Sequence, residues 1–198
     1  MTDTGLAELT WKDIAVSAAT AIAVAALLRI FVIGVFEIPS HSMENTLLSG
    51  DYILVNKLAY RLKSVHRGDV VVFGRATGDA SGHEAYVKRV IGIPGDTILL
   101  DHDGISVNAR PLPDPPEAKW PMDPIRSSER APVRHIVGPD SVFVLGDNRR
   151  NSFDSRYWGC IPLGDISGSP FLIYWSFGAT KERPLPHVRW ERVFSRIY

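Results

Sequence analysis

The sequence predicts a mostly β domain carried on one N-terminal membrane-spanning helix, with a smaller lobe inserted into the β domain. Three observations predict it. Residues 14–36 form a 23-residue apolar stretch whose single charge is Arg29. From Tyr52 onward, short apolar runs alternate with turn residues. Between Pro111 and Pro139 lie eight of the 14 prolines, too many for central sheet strands. Composition narrows the function classes. Lys plus Arg and Asp plus Glu both number 22, so no electrostatic footprint points to nucleic acid. The only cysteine, Cys160, leaves neither a disulfide framework nor a thiolate cluster for zinc, and reads as a small packed residue.

Residues 1–13 form a short polar head, with Trp11 and Lys12 where an interfacial anchor belongs. Residues 14–36 are long enough, at about 1.5 Å per residue, to cross a hydrocarbon core of about 30 Å. A cleaved signal peptide would have a basic head and a small-residue site ending the apolar run, and this head is acidic. A buried soluble helix would show an amphipathic stripe, absent here. Arg29 is near enough to the end of the span to snorkel. Lys12 and Arg29 flank the span from opposite ends, so charge does not set orientation.

The helical signal stops at Pro39. Strands are expected over 52–55, 70–73, 86–93, 97–100, 105–107, 142–145 and 171–177, and residues 37–198 are read as one β-rich domain. Gly50-Asp51, Gly68-Asp69, Gly95-Asp96, Asp103-Gly104 and Gly146-Asp147 punctuate these runs with turn-permissive backbone, at spacings too irregular for a repeat. The proline-rich window reads as an insertion lobe of about residues 101–140. The tail from Lys181 interleaves Arg189, Arg192 and Arg196 with Trp190, Phe194 and Tyr198. It reads as a solvated amphipathic end, with contact to anionic head groups as the weaker alternative.

Chemistry is sought around Ile38-Pro39-Ser40-His41-Ser42-Met43. A serine hydroxyl is barely ionised near neutral pH and needs a base to attack a carbonyl. His41 is adjacent to Ser42 and, in extended chain, points the other way. His66, His83, His102, His135 and His187 have no distinguishing neighbours, so a Ser-His-Asp triad is possible but unsupported. Ser42 lacks the Gly-x-Ser-x-Gly elbow, and Asn45 stands where a Ser-x-x-Lys enzyme carries its lysine. Lys88, within Tyr86-Val87-Lys88-Arg89-Val90-Ile91, is the remaining candidate. Alternation puts Lys88 and Arg89 on opposite faces, so one of the two is expected to point into protein. Lys88 either lies on a solvated face or edge, discouraging aggregation, or is buried beside Tyr86, Val90 and Met43, where desolvation disfavours its ammonium and prepares a neutral amine.

Residues 38–51, 68–73, 86–96 and 146–159 (Gly146-Asp147-Asn148-Arg149-Arg150-Asn151-Ser152-Phe153-Asp154-Ser155-Arg156-Tyr157-Trp158-Gly159) resemble, in order and spacing, the four sequence boxes of bacterial signal peptidase I. The resemblance implies an antiparallel β-sheet catalytic domain of the signal peptidase/LexA-like type. It implies a Ser-Lys endopeptidase, without metal or organic cofactor, anchored once in the bacterial inner membrane with its catalytic domain on the outer face. By position, Ser42 matches the nucleophile and Lys88 the general base. Ser40 and the Ser42 backbone N–H match the oxyanion hole, and Ser152 matches a serine that orients the lysine amine. Asp147, Asp154 and Arg156 match supporting charges, while Ile38, Met43, Leu47, Tyr86 and Val87 match substrate-pocket walls. The implied substrates are secretory preproteins cut after Ala-x-Ala, and the implied surroundings are membrane phospholipids.

Two positions depart from the family pattern: Asn45 where proline is usual, and Arg150 where an acidic residue is common. Arg150 would help to neutralise Lys88 if it lies close. The 147–155 loop fails as a calcium loop, having Arg149 at its third position and Ser152 where glycine is needed. Two other classes compete: a self-cleaving LexA-like regulator, which would carry an interaction segment in place of the apolar N-terminus, and a non-catalytic membrane-tethered β module.

Overall fold

The computed structural model describes residues 10–44, 46–76, 83–101, 104–112, 132–179 and 184–198. Helix α1 (Trp11–Phe31) opens on a capping box: the Thr10 backbone N–H donates to Asp13 Oδ2 at 3.0 Å, and the Asp13 N–H donates back to Thr10 Oγ1 at 3.4 Å. No residue of α1 is buried by the rest of the chain, as suits a helix whose surroundings are lipid. The expected span of 14–36 is corrected at both ends. The helix takes in Trp11–Asp13, and it stops at Phe31 because residues 33–37 become strand β1 (Ile33–Glu37). Apolar content alone does not distinguish the two conformations. The β-branched Val32, Ile33 and Val35 favour the strand, and pairing with a neighbour satisfies its backbone. Val32 is the one residue between helix and sheet.

The elements that follow are β2 (Asp51–Asn56), α2 (Ala59–Leu62), β3 (Val70–Ala76), β4 (His83–Gly92), β5 (Thr97–Asp101), β6 (Gly104–Val107), β7 (Arg110–Pro111), β8 (Val133–Ile136), β9 (Ser141–Leu145), α3 (Ser155–Trp158), β10 (Ile161–Pro162), β11 (Ile166–Gly178), β12 (His187–Val188) and β13 (Ser195–Arg196). The main sheet runs β1-β2-β11-β3-β4-β9-β10, with β12 and β13 added to β11, and its pairings are antiparallel. Every strand expected from the sequence is present. The short β7, β8, β10, β12 and β13 were not expected: four of them have only two residues, and β8 sets Arg134 and His135 between its apolar ends inside the proline-rich window.

The inserted lobe is a second antiparallel sheet, β7-β6-β5-β8. It begins at Thr97, before the expected boundary near 101, and most of the proline-rich stretch, 113–131, lies outside the described residues. The two strands that the proline window supplies, β7 and β8, are both edges, where a missing N–H is tolerated. Ile91, Phe143 and Leu145 of the main sheet pack with Ile98, Leu100, Ile105 and Val107 of the lobe. Two more clusters cover the faces of the main sheet. Ile38, Met43, Leu47, Ile53, Val55 and Val72 form one, and Val71, Phe73, Val90, Val142 and Val144 the other. Each such side chain, fully buried, contributes about 1.5–3 kcal/mol.

The described part of the C-terminal tail is solvated at Trp190, Phe194, Arg196 and Tyr198, as expected, but not at Arg189 and Arg192. Asp51 is fully buried and accepts from Ser176 Oγ (2.7 Å) and from Arg192 (Nη2 to Oδ2, 2.5 Å), with Arg189 Nη2 at 3.5 Å. A buried carboxylate demands compensating cations, and the two arginines fold back onto β2 and β11 to supply them. Residues 181–183 lie outside the described residues.

Candidate active site

Pro39 ends the extended backbone after β1, and hydrogen bonds of turn type follow: Glu44 N–H donates to His41 O at 3.2 Å, and Leu47 N–H to Met43 O at 2.7 Å. Met43 and Leu47 are driven into the core and act as plugs that fix the turn beginning at Ser42, itself 8% exposed and lining the groove. The turn is held from the far side by the segment after β9. Asn148 N–H donates to Ser42 O at 3.0 Å, and Asn148 Nδ2 donates to His41 O and Glu44 Oε2, both at 3.0 Å. Gly146 makes this approach possible. A Cβ there would lie 2.4 Å from Ser42 O and 2.2 Å from Ser152 Oγ.

Lys88 lies on β4 opposite Val71, 3% exposed, and its Nζ is 2.6 Å from Ser42 Oγ. The buried alternative for this lysine is the one observed. Burial pulls its ammonium down from the usual lysine range to about 8. The Asp154 carboxylate works against that shift, the Arg156 guanidinium with it and Asp147 against it. The cation acting on Lys88 is thus Arg156, and Arg150, expected as a helper, is exposed. Asn45, the other departure, lies outside the described residues.

The residues singled out in the sequence gather here, with two differences. Ser40 Oγ is 3.2 Å from Ser42 Oγ, so the Ser42 hydroxyl sits between a serine and the lysine. Asp154 is fully buried; it accepts the Gly146 N–H at 3.0 Å and Arg156 Nε at 2.8 Å, while Arg156 Nη2 also donates to the Arg149 and Ser152 carbonyls. Asp147 accepts a two-pronged contact from Arg89 (2.8 and 2.7 Å) and the Thr46 hydroxyl at 2.6 Å. Ser152 is the first difference: its hydroxyl is buried without a hydrogen-bond partner, so it does not hold the Lys88 amine in this conformation. Leu47 is the second: it is fully buried in the core and does not line the groove.

That groove, about 340 Å³, runs between residues 36–40 on one side and 84–88 on the other, with Ser42 and Lys88 on its floor and Ile38, Met43, Tyr86 and Val87 among its walls. Strand β4 is paired with β3 from His83 to Arg89, and with β9 on its other edge only from Arg89 to Gly92. Among the described residues no strand pairs with its other edge over 84–88, which therefore offers unpaired backbone groups to an extended chain. His41 turns away, its Nδ1 3.0 Å from Glu44 Oε1, as the adjacency argument required. Among the described residues no group of three His, Cys, Asp or Glu side chains could hold a metal ion.

Several residues of this site were not singled out beforehand. Both members of the Lys88–Arg89 pair point into protein, where one was expected, because Asp147 awaits Arg89 on the second face. Thr46, Gly146 and Asn148 stood inside the motifs, yet only the fold shows that they clamp the Ser42 turn.

The family described as "Signal peptidase, peptidase S26" matches residues 11–175. The chain belongs to that signal peptidase family. A probable signal peptidase I-2 of Synechocystis sp. is 38% identical over 183 residues, covering 91% of this chain and 77% of that protein. The signal peptidase I of Bacillus caldolyticus is 37% identical over 164 residues, covering 79% and 87%. A signal peptidase I crystal structure from Enterococcus faecalis aligns with 54% of this chain and 97% of that one, at 24% identity and a TM-score of 0.37. The chain is therefore a signal peptidase I, a serine peptidase of the hydrolase class whose family removes signal peptides, and its apolar α1 fits a membrane anchor.

Proposed function

We propose that this signal peptidase cleaves secretory preproteins after Ala-x-Ala with a Ser42 nucleophile and a Lys88 general base. The single observation that carries the reading is the 2.6 Å contact between a buried amine and a serine hydroxyl on the floor of an open-edged groove. The neutral Lys88 amine takes the Ser42 proton as Oγ attacks the scissile carbonyl. The Ser40 hydroxyl and Ser42 N–H donate to the developing oxyanion. The Lys88 ammonium then protonates the departing amine, leaving an acyl ester on Ser42 and a neutral lysine. The same lysine takes a proton from the water that hydrolyses the ester and gives it to Ser42 Oγ as the acyl bond breaks, which frees the new carboxyl end and restores the serine hydroxyl and the neutral amine.

The substrate lies extended along 84–88 of β4, adding a strand by main-chain hydrogen bonds. Ile38, Met43, Tyr86 and Val87 restrict the side chains beside the cut to small ones. Asp147, Asp154 and Arg156 support the site by fixing the Ser42 turn and the field at Lys88, and no cofactor takes part. The anchor, α1, crosses the bacterial inner membrane once, with the residues before Trp11 in the cytoplasm and those after Phe31 outside, among the phospholipids through which the precursor's own apolar segment passes.

The test is cleavage of a purified Ala-x-Ala preprotein in detergent by the parent, Ser42→Ala and Lys88→Ala, each first shown to share the parent's melting profile. The parent is expected to cut after the second alanine, and both variants to fall by at least about 10³-fold. Comparable cleavage by folded Lys88→Ala would transfer the base to another group. Equal cleavage after a bulky residue at that position would remove the proposed specificity.

A further inference from the structure

A cleft of about 600 Å³ opens where α1 meets the β domain; it is lined by neither Ser42 nor Lys88 and shares only Phe36 with the groove that holds them. One wall is apolar: Ile30 and Phe31 from the last turn of α1, and Phe36 from β1. Ile30 and Phe31 are each 59% exposed, although they end a helix built to sit in hydrocarbon. The other wall carries Lys57, Tyr60 and Arg61 from the end of β2 and from α2. Lys57 Nζ donates to the carbonyls of Ile30 (2.9 Å) and Arg29 (3.3 Å), which fixes this basic wall to the helix end and leaves one of the three ammonium donors over. Arg61 is exposed.

Among the described residues no carboxylate lines the cleft. Asp69, behind Tyr60, is occupied by the Tyr60 hydroxyl at 3.2 Å and the His66 N–H at 3.0 Å, and Asp165 is exposed beside the rim. A hydrophobic wall continuous with a membrane span, faced by two cations at the level where the span ends, matches one chemistry. That chemistry is a phosphate diester on a diacyl chain.

We propose that this cleft binds a single anionic phospholipid, its phosphate between Lys57 and Arg61 and the start of its acyl chains against Ile30, Phe31 and Phe36. The proposal rests on the reading of α1 as a membrane anchor. It adds a specific lipid seat to the general contact that any anchor makes. The lipid would fill the gap between helix and sheet and hold the β domain at one tilt on the membrane.

The test uses the full chain in two steps. Flotation with vesicles of neutral phosphatidylcholine comes first: failure to float would overturn the anchor, and the lipid seat with it. The second step is native mass spectrometry of the detergent-purified protein titrated with phosphatidylglycerol, phosphatidylcholine or soluble glycerol phosphate. The parent is expected to retain phosphatidylglycerol over phosphatidylcholine and to retain no glycerol phosphate. Arg61→Gln is expected to lower phosphatidylglycerol retention about fivefold, while Lys12→Gln, at the opposite end of α1, leaves it unchanged. A floating protein without head-group preference, an equal loss in both variants, or equal retention of glycerol phosphate would each overturn the lipid seat while leaving the anchor intact.

Discussion

Lys88 is held at a titration point of about 8 by opposing influences: loss of water and the Arg156 guanidinium favour the free amine, and Asp154 and Asp147 favour the ammonium. Because the proposed base works as the neutral amine, its active fraction grows tenfold per pH unit below that point, is one half at about pH 8 and saturates above it. The logarithm of kcat/KM for preprotein cleavage should therefore rise with unit slope to about pH 8 and then level. Arg156→Gln removes a cation that depresses Lys88, so it should move the limb to higher pH, and an unmoved limb would remove Arg156 from the electrostatics of the base. Much of this site was legible residue by residue, since Ser42 and Lys88 stand in motifs. The Ser152 hydroxyl, expected on the lysine, is without a partner. Motif position fixes which residue is near, but a hydroxyl's bond depends on a torsion angle that the sequence does not record.

At the scale of elements, the tail and the Ser42 turn share one buried charge cluster. Arg192 Nη2 donates to Thr46 O at 3.0 Å as well as to Asp51, and Thr46 in turn donates to Asp147, so the stretch after β11 braces the turn from behind. Arg189, its side chain 4% exposed, donates to Ser176 Oγ at 2.8 Å and to Ser49 O at 2.7 Å. Arg189→Met leaves part of the Asp51 charge uncompensated and should destabilise the domain by about 3–5 kcal/mol, read from denaturation in detergent. A loss under about 1 kcal/mol would show that Arg192 alone satisfies Asp51. This cluster was invisible in the sequence: Asp51 and Arg189 are 138 residues apart, and an alternating basic-aromatic tail has the same composition whether it is solvated or folded back. The same ambiguity hid β1, whose apolar residues extend the hydropathy of α1 without a break. The expected strands showed because each gave a largely apolar run between turn signals, from the three residues of 105–107 to the eight of 86–93.

For the molecule as a whole, the consequential feature is the passage from α1 to β1 through Val32 alone. One residue allows little swing, and Lys57 ties the junction further by bonding to the last carbonyls of the helix. Ser42 stands eleven positions beyond Phe31, so the two lie at most about 40 Å apart however the chain runs. Under the proposed anchoring, the bilayer surface becomes a datum line, and the enzyme a depth gauge that cuts at a set height above it. Precursors with two to six extra residues between their apolar segment and an unchanged Ala-x-Ala should be cut progressively more slowly in vesicles, and at nearly equal rates in detergent, where the datum is gone. Equal rates in both settings would mean that the height of the blade is not fixed by its handle.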